Sequence, residues 1–496
     1  MSAPHVIGVV GAGAMGAGIA QTALIAGLRT ILFDQNPDVL ARAAADIHAR
    51  IDRLVEKGRI GADMAEAAKS RLVLAENLEA LAPCGLIIEA IIERLDAKQA
   101  LFEALEAVAA DDAVLATNTS SLSVAALARD CRRPDRICGL HFFNPVPLMK
   151  LVEVIEAPAT SPEAFDCAWS FALAIGKTPV RVKDGPGFLV NLGGRAYTTE
   201  ALHIRHEGGA DEATIDHIMR KAAGFRMGPF ELMDLTGIDV NFPANTFIWQ
   251  GYMQDPRLKT TPQHELLFNA RRFGRKTGQG FHAYDGASTK LSAPPSIPSV
   301  DDGETGLEAV IAEPGLGLEA LASRGLRVCE DNGRCPLLVA PVGEDATAAA
   351  VRLGLDPRRV VAIDLYGLSR GLVTLMAPPG GDKAPVVAEW LAARGLETVV
   401  IRDCPGFVAP RILAAIANLG CEMVQIGVGG PDDVDLAMTL GLNYPAGPLA
   451  LTEAIGPRAV LRTLETLQRL TGSDRYRPSQ WLRRRALLDL PMKTPD

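Results

Sequence analysis

The sequence predicts an α/β fold written twice: a parallel-sheet domain followed by an all-helical domain, then a degenerate copy of the same pair. Three observations predict it. The chain opens on a βαβ pattern, in which Val6–Val10 reads as a buried strand, Ala12–Ala26 as a helix and Arg29–Asp34 as the next strand. At residues 183–191 (KDGPGFLVN) the texture changes to one that is mostly helical as far as Phe273. Residues 402–410 (RDCPGFVAP) then repeat nearly the same phrase. From there the halves match at one constant separation and without a gap, Pro186 with Pro405, Asp216 with Asp435 and Gly228-Pro229 with Gly447-Pro448, which marks an internal duplication.

Taken in order, residues 38–80 read as two charged, alanine-rich helices inserted into the first domain. Strands follow at Leu86–Ile92, Val114–Thr117 and Ile137–Phe142. The helical stretch is broken by GPF at 228–230 and closes with FGRKTGQGFHAYD at 273–285. Residues 286–306 are rich in Pro, Ser and Gly without periodicity and read as a linker. Beyond it, Gly325–Val328 echoes Gly27–Thr30, and Leu337–Pro341 is expected in the place of Leu86–Ile92. Counting back from PGF puts GLVTLMAP (371–378) in the place of LVEVIEAP (151–158). The expected domains are 1–183, 184–285, 307–402 and 403–496, with 286–306 between the pairs.

At 496 residues the chain is too long for one core. A composition of 48% hydrophobic and 22% charged residues is that of a soluble globular protein. A net charge of −9 argues against nucleic-acid or anionic-membrane partners, which a basic face would meet. The eight cysteines show no C-x-x-C spacing, and no charged-then-apolar leader opens the chain, so a cytoplasmic setting is expected. The uncharged run Val6–Leu28 carries six glycines and reads as strand, turn and helix rather than a membrane span.

GAGAMG at 11–16 fits G-x-G-x-x-G between a strand and a helix, and Asp34 closes the following strand. Gly11 and Gly13 let the turn close and the backbone approach a pyrophosphate. Gly16 lets the helix pack on the strand, and the helix N-terminus faces the anion, with Ala12 and Met15 completing the loop. A carboxylate at Asp34 accepts both ribose hydroxyls and repels a 2′-phosphate, so the expected cofactor is NAD on a Rossmann-type domain. In the second copy, EPGLGLEA (313–320) lacks the full fingerprint and is expected to bind no dinucleotide.

All eight histidines lie at or before His282. His203 and His206, with Glu200 nearby, lack a third ligand at a recognisable spacing, so they are expected to be solvated and no metal is expected. His141 ends an apolar strand inside GLHFFNPVPLMKLVEVIE (139–156), with Glu153 in the same motif, and follows TNTSS (117–121) at the end of the preceding strand. In an open parallel sheet, polar groups at the carboxyl ends of strands beside the cofactor converge on a substrate.

GAGAMGAGIAQ, NTSS, GLHFFNPVPLMKLVEV, KDGPGFLVN, GPFELMD and FGRKTGQGF, in that order over residues 5–285, resemble the motifs of the NAD-dependent L-3-hydroxyacyl-CoA dehydrogenases. The duplicated remainder resembles the longer members, among them the 3-hydroxyadipyl-CoA dehydrogenases of phenylacetate breakdown. The resemblance implies oxidation of (S)-3-hydroxyacyl-CoA to 3-oxoacyl-CoA with hydride transfer to NAD. It implies His141 as general base, Glu153 as the acid that orients it, and Ser120 and Asn191 as contacts to the reacting oxygen. It also implies Glu93, Lys98, Asn144 and Lys276 on the cofactor side and Lys57 as a coenzyme A contact. Two other readings stay open: a dehydrogenase of the same family acting on a free hydroxy acid or sugar acid, and a non-catalytic NAD-binding protein.

In the second copy Asn191 is matched by Pro410 and no acid stands where Glu153 does, so that half is expected to be catalytically silent. Its helical domain is expected to pack on the first, giving either a monomer that contains a pseudo-dimer or a homodimer. One departure stands out: after Asn191 the chain reads LGGRAYTTEAL, and Gly193-Gly194 weakens a helix, so either the backbone approaches something closely there or the helix begins later.

Overall fold

The computed structural model describes residues 4–285, 288–290, 306–313 and 317–496; most of the expected linker and part of EPGLGLEA lie outside the described residues. Two compact units result, residues 1–192 with 426–442, and residues 193–425 with 443–496.

The first unit is built on an eight-stranded sheet of β1 (Val6–Val10), β2 (Arg29–Phe33), β3 (Leu72–Ala75), β4 (Leu86–Glu89), β5 (Val114–Thr117), β6 (Ile137–Phe142), β7 (Leu151–Glu156) and β8 (Thr178–Lys183). The order is β3-β2-β1-β4-β5-β6-β7-β8, with every pairing parallel except β6 with β7. Strands buried on both faces read as continuous apolar runs, as Leu86, Ile87 and Ile88 in β4 and Leu151 and Val152 in β7 do here at essentially zero exposure. The expected helices at 38–80 are present as Pro37–Glu56 and Ala62–Ser70, but Leu72–Ala75 leaves the helical stretch to become the β3 edge strand. Four apolar residues are too short a window for periodicity to separate strand from helix.

Residues of the second copy complete this unit. The helix Pro431–Leu442 packs on β7 and β8, and Lys183 N, at the end of edge strand β8, donates to Val428 O at 2.8 Å. A Cβ at Gly441 would come within 3.0 Å of Leu151 and 2.9 Å of Val190, so a larger residue there would have to push those side chains or the helix aside.

The second unit contains helices from both copies, the hairpin β9 (Ala283–Asp285) and β10 (Ser288–Lys290), and a second sheet. That sheet has β11 (Leu307–Ile311), β12 (Leu326–Val328), β13 (Leu337–Val339), β14 (Val360–Asp364), β15 (Leu372–Met376) and β16 (Glu397–Val400) in the order β12-β11-β13-β14-β15-β16. Arg402 N donates to Gly209 O at 3.0 Å. This is the Lys183–Val428 bond with the copies exchanged, because Arg402 is the counterpart of Lys183 and Gly209 that of Val428 at the same constant separation.

The structure corrects two correspondences read from the sequence. After β13 comes the helix Ala346–Leu353, whose first N–H groups, Ala346 and Thr347, donate to Asp403. After β5 comes the helix Val124–Ala128, whose Val124 and Ala125 N–H groups donate to Asp184. Strand β13 therefore stands where β5 does, not where Leu86–Ile92 does, and among the described residues the second sheet lacks the strand between. The second correction is a slip of one residue. β15 pairs antiparallel with β14 so that Asp364 faces Thr374, as His141 faces Glu153. Thr374, rather than Val373, holds the place of Glu153, and Asp364 holds that of His141.

Where the helices of the two copies meet inside the second unit, a buried ionic cluster forms. Arg411 Nε lies 2.7 Å from Glu200 Oε1, both fully buried. The same guanidinium reaches Glu207 at 2.7 Å, and Tyr476 Oη donates to Glu200 at 2.8 Å. Burial would raise the Glu200 carboxyl, but the Arg411 and Arg475 charges hold it below the usual range. The expectation of a solvated face holds for His206 alone. Glu200 is spent on this cluster, and His203, half-buried beside the Lys259 carbonyl at 3.1 Å, is pushed down to about 4 by burial.

Candidate active site

The glycine-rich loop has the shape its residue types call for. Gly11 sits at φ +101°, and a Cβ there would lie 2.5 Å from Ala90 O; at Gly16 one would lie 1.8 Å from Gly11 O, so the helix rests directly on the strand. Gly13 is the reverse, exposed and with nothing within 4 Å of a Cβ. The helix Ala14–Ile25 that follows has no side-chain cap and no acid in its first turn. Its free N–H groups and dipole suit a pyrophosphate. Asp34 is fixed by Ala12 N at 2.8 Å and Asn36 N at 2.9 Å. These residues fit NAD.

The reversal of direction between β6 and β7 creates the second part of the site. It sets His141 opposite Glu153 at the end of the sheet, with His141 Nδ1 2.6 Å from Glu153 Oε2. The other Glu153 oxygen accepts from Leu189 N and Val190 N, each at 2.9 Å. Those two N–H groups are presented by the PGF turn, in which Gly187 (φ +79°) and Phe188 (φ +49°) adopt left-handed backbone. Fully buried and accepting hydrogen bonds on both oxygens, Glu153 acts as a fixed acceptor. Phe143 and Phe188 flank the imidazole, with ring centroids 4.5 and 5.8 Å away.

Asn191 follows in the first turn of the helix Val190–His206, and its Nδ2 donates to Ser120 O at 3.3 Å. The structure thus brings Ser120 and Asn191 together, and both are open to solvent in part. The helix begins at Val190 and runs through Gly193 and Gly194, both buried, so of the two readings of that glycine pair a later start is excluded.

Glu93 organises the loop that carries Ser120. Its Oε1 accepts from Thr119 Oγ1 at 2.6 Å, Ser120 N at 2.9 Å and Ser121 Oγ at 2.9 Å. Burial would raise this carboxyl, but the Thr119 hydroxyl, the Lys98 ammonium and the Ser120 N–H hold it at about 2. Lys98 is buried between Glu89 at 2.6 Å and Glu93 at 3.1 Å. Glu89, which also accepts from Thr117 Oγ1 at 2.6 Å, is not singled out by the sequence reading; an acid ending the apolar strand LIIE is the available signal. Asn144 is exposed before the cis Pro145, Lys57 is exposed at the end of the helix Pro37–Glu56, and Lys276 belongs to the second unit, paired with Asp239 at 2.6 Å. Among the described residues no group of three or more metal-ligating side chains occurs, and no helix is long and apolar enough to cross a membrane.

A dinucleotide loop at one strand end, with an imidazole held by a carboxylate at another, defines a dehydrogenase of the Rossmann class. The comparisons make the class specific. The NAD-binding domain of 3-hydroxyacyl-CoA dehydrogenase matches residues 6–185, and the C-terminal domain matches twice, at 187–284 and 406–495. The chain is 38% identical over 488 residues, 97% of its length and 98% of the relative's, to 3-hydroxyadipyl-CoA dehydrogenase of Escherichia coli K12. It is 39% identical over 286 residues to the human mitochondrial hydroxyacyl-coenzyme A dehydrogenase, covering 56% of this chain and 90% of that one. The crystal structure of 3-hydroxybutyryl-CoA dehydrogenase from Escherichia coli K12 superposes with a TM-score of 0.88 at 37% identity, covering 98% of both chains. The chain belongs to the 3-hydroxyacyl-CoA dehydrogenase family. It is an oxidoreductase that oxidises 3-hydroxyacyl-CoA with NAD.

Proposed function

We propose that His141 is the general base of this reaction, that Glu153 orients it, and that Ser120 and Asn191 hold the reacting oxygen. The 2.6 Å contact of His141 Nδ1 with a carboxylate that is itself held by two backbone N–H groups carries the reading. With Nδ1–H donating to Glu153, a neutral imidazole keeps its lone pair on Nε2, the atom that takes the hydroxyl proton of the substrate. The imidazolium that results is stabilised by the carboxylate beside it, as in a Ser-His-Asp arrangement. The Ser120 hydroxyl and the Asn191 amide are donors that strengthen their hold as the C3 oxygen becomes a carbonyl. NAD, when bound, accepts the hydride from C3. Within the same reading Gly11 and Gly13 let the backbone approach the pyrophosphate, Gly16 seats the helix whose N-terminus faces it, Asp34 meets the ribose, and Glu93 and Lys98 set the loop at 119–121. Asn144 and Lys276 are proposed on the cofactor side and Lys57 toward coenzyme A.

One relative that matches both copies carries the name of a dicarboxylic substrate and a solved structure that matches both carries the name of a four-carbon one, so 3-hydroxyadipyl-CoA and 3-hydroxybutyryl-CoA are the first acyl groups to assay. Steady-state oxidation of short, medium and dicarboxylic 3-hydroxyacyl-CoA, with acetoacetyl-CoA against free acetoacetate in the reverse direction, tests the proposal. Turnover is expected on the thioesters; turnover on the free acid alone would replace acyl-CoA by a hydroxy acid as substrate. We further propose that the chain works as a monomer whose two helical segments form a pseudo-dimer, supported by the ionic cluster around Arg411.

A further inference from the structure

The second copy has lost the chemistry of the first but has kept a cleft. A cavity of about 320 Å³ opens at the carboxyl ends of β13 and β14, lined by Val342, Asp364, Leu365, Phe407, Pro410 and Ile455. Four of these are counterparts of residues in the candidate active site. Val342 stands where Ser120 does, three residues before the residue that caps the following helix. Asp364 holds the register position of His141, and Phe407 and Pro410 match Phe188 and Asn191 at the constant separation of the two copies. The turn is kept as well, with Gly406 at φ +76° and Phe407 at φ +56°.

At the end of this cleft stands a carboxyl group. Asp364 is 8% exposed and among the described residues accepts one hydrogen bond, from Tyr366 N at 2.9 Å. Among the described residues Thr374, opposite it, has no partner for its hydroxyl and does not engage the carboxyl as Glu153 engages His141. A buried acceptor at the end of an aliphatic cleft is costly unless a donor meets it. Burial pushes this carboxyl up to about 6, against the pull of the Tyr366 N–H. A hydroxyl meets it at less cost than an ammonium, whose transfer from water to these walls carries a full charge.

We propose that this cleft is a second, non-catalytic binding site for a short aliphatic or acyl compound bearing a hydroxyl group, which donates to Asp364. The assignment of the hydroxyl rests on the proposed function, in which the same place in the first copy receives the C3 oxygen. A carboxylate accepts from an alcohol and repels a ketone oxygen, so the site distinguishes the reduced from the oxidised form of one carbon skeleton. The enzyme would then carry one cleft that interconverts the two forms and another that reads which is present.

Saturation-transfer NMR on the full-length chain, with 2-pentanol and 2-pentanone as probes, tests this. The alcohol is expected to give a severalfold stronger response than the ketone. Asp364→Asn, which keeps the shape and adds an N–H donor, is expected to shift the preference toward the ketone. Ala340→Phe, which fills the cavity, is expected to abolish the alcohol response; should it fail to fold, the isosteric variant carries the test. His141→Ala is expected to leave the response unchanged while turnover of acetoacetyl-CoA falls. Equal responses to the two probes, a preference unaltered by Asp364→Asn, or loss of the response in His141→Ala would each overturn the second site. Turnover measured on the same proteins reports separately on the first.

Discussion

The two copies keep the same scaffold positions and differ at those proposed to react. Asp184 and Asp403 each hold the first N–H groups of the helix that follows the central strand. The PGF turn repeats with left-handed glycine and phenylalanine in both. At the sheet edge the register is kept while the side chains change, His141 to Asp364, Glu153 to Thr374, Ser120 to Val342 and Asn191 to Pro410. Folding constraints act on backbone geometry and helix ends, which the copies share; the side chains that differ are those to which the proposed function gives chemical roles.

The comparison breaks most sharply at the base. His141→Ala is expected to lower turnover by about 10²- to 10⁴-fold with NAD affinity retained, as measured by fluorescence titration. Asp364→Ala, at the same register position, is expected to leave turnover unchanged. Equal losses from the two would mean that the copies share the chemistry.

At the seam between copies the effect falls on stability. Arg411→Met leaves Glu200 buried beside fewer positive charges, and breaking a buried pair in this way costs about 3–5 kcal/mol. Urea denaturation of the full chain is expected to show the second unit unfolding at lower denaturant, and Glu200→Leu in the same chain is expected to restore part of the loss. An unshifted transition would show that the cluster is not what joins the helices.

Smallest and most symmetrical is the loss of the helix-end carboxylates. Asp184→Ala and Asp403→Ala are each expected to cost about 1 kcal/mol, read from thermal unfolding of each unit. A large asymmetry between them would show that one copy no longer depends on the shared device.

Much of this is legible in the sequence, for physical reasons. The glycine fingerprint and Asp34 are local signals, and a constant separation between matching residues needs no structure to be seen. Pairing partners are another matter. Setting GLVTLMAP against LVEVIEAP misses Thr374 as the counterpart of Glu153, because β15 lies two residues closer along the chain to β16 than β7 does to β8 and that match absorbs only one of the two. A slip of one in a strand selects the opposite face, so Val373 replaces Thr374 and Asp364 is not seen to stand opposite. Strand β3 is lost inside a helical stretch because its four residues carry no period. Glu93 and Lys98 are reached only by resemblance, whereas their hydrogen bonds to the loop at 119–121 depend on strands brought together from distant parts of the chain.

The reciprocal bonds at the two sheet edges have a consequence for how the molecule comes into being. When β16 leaves the ribosome, the backbone that borders it, at Gly209, already exists. β8 must wait for Val428, roughly 245 residues later, an interval of about ten to fifty seconds at ordinary elongation rates. During synthesis the nascent chain therefore carries an open strand edge on its earlier half, and it is this half, not the later one, that needs guarding against self-association before translation ends.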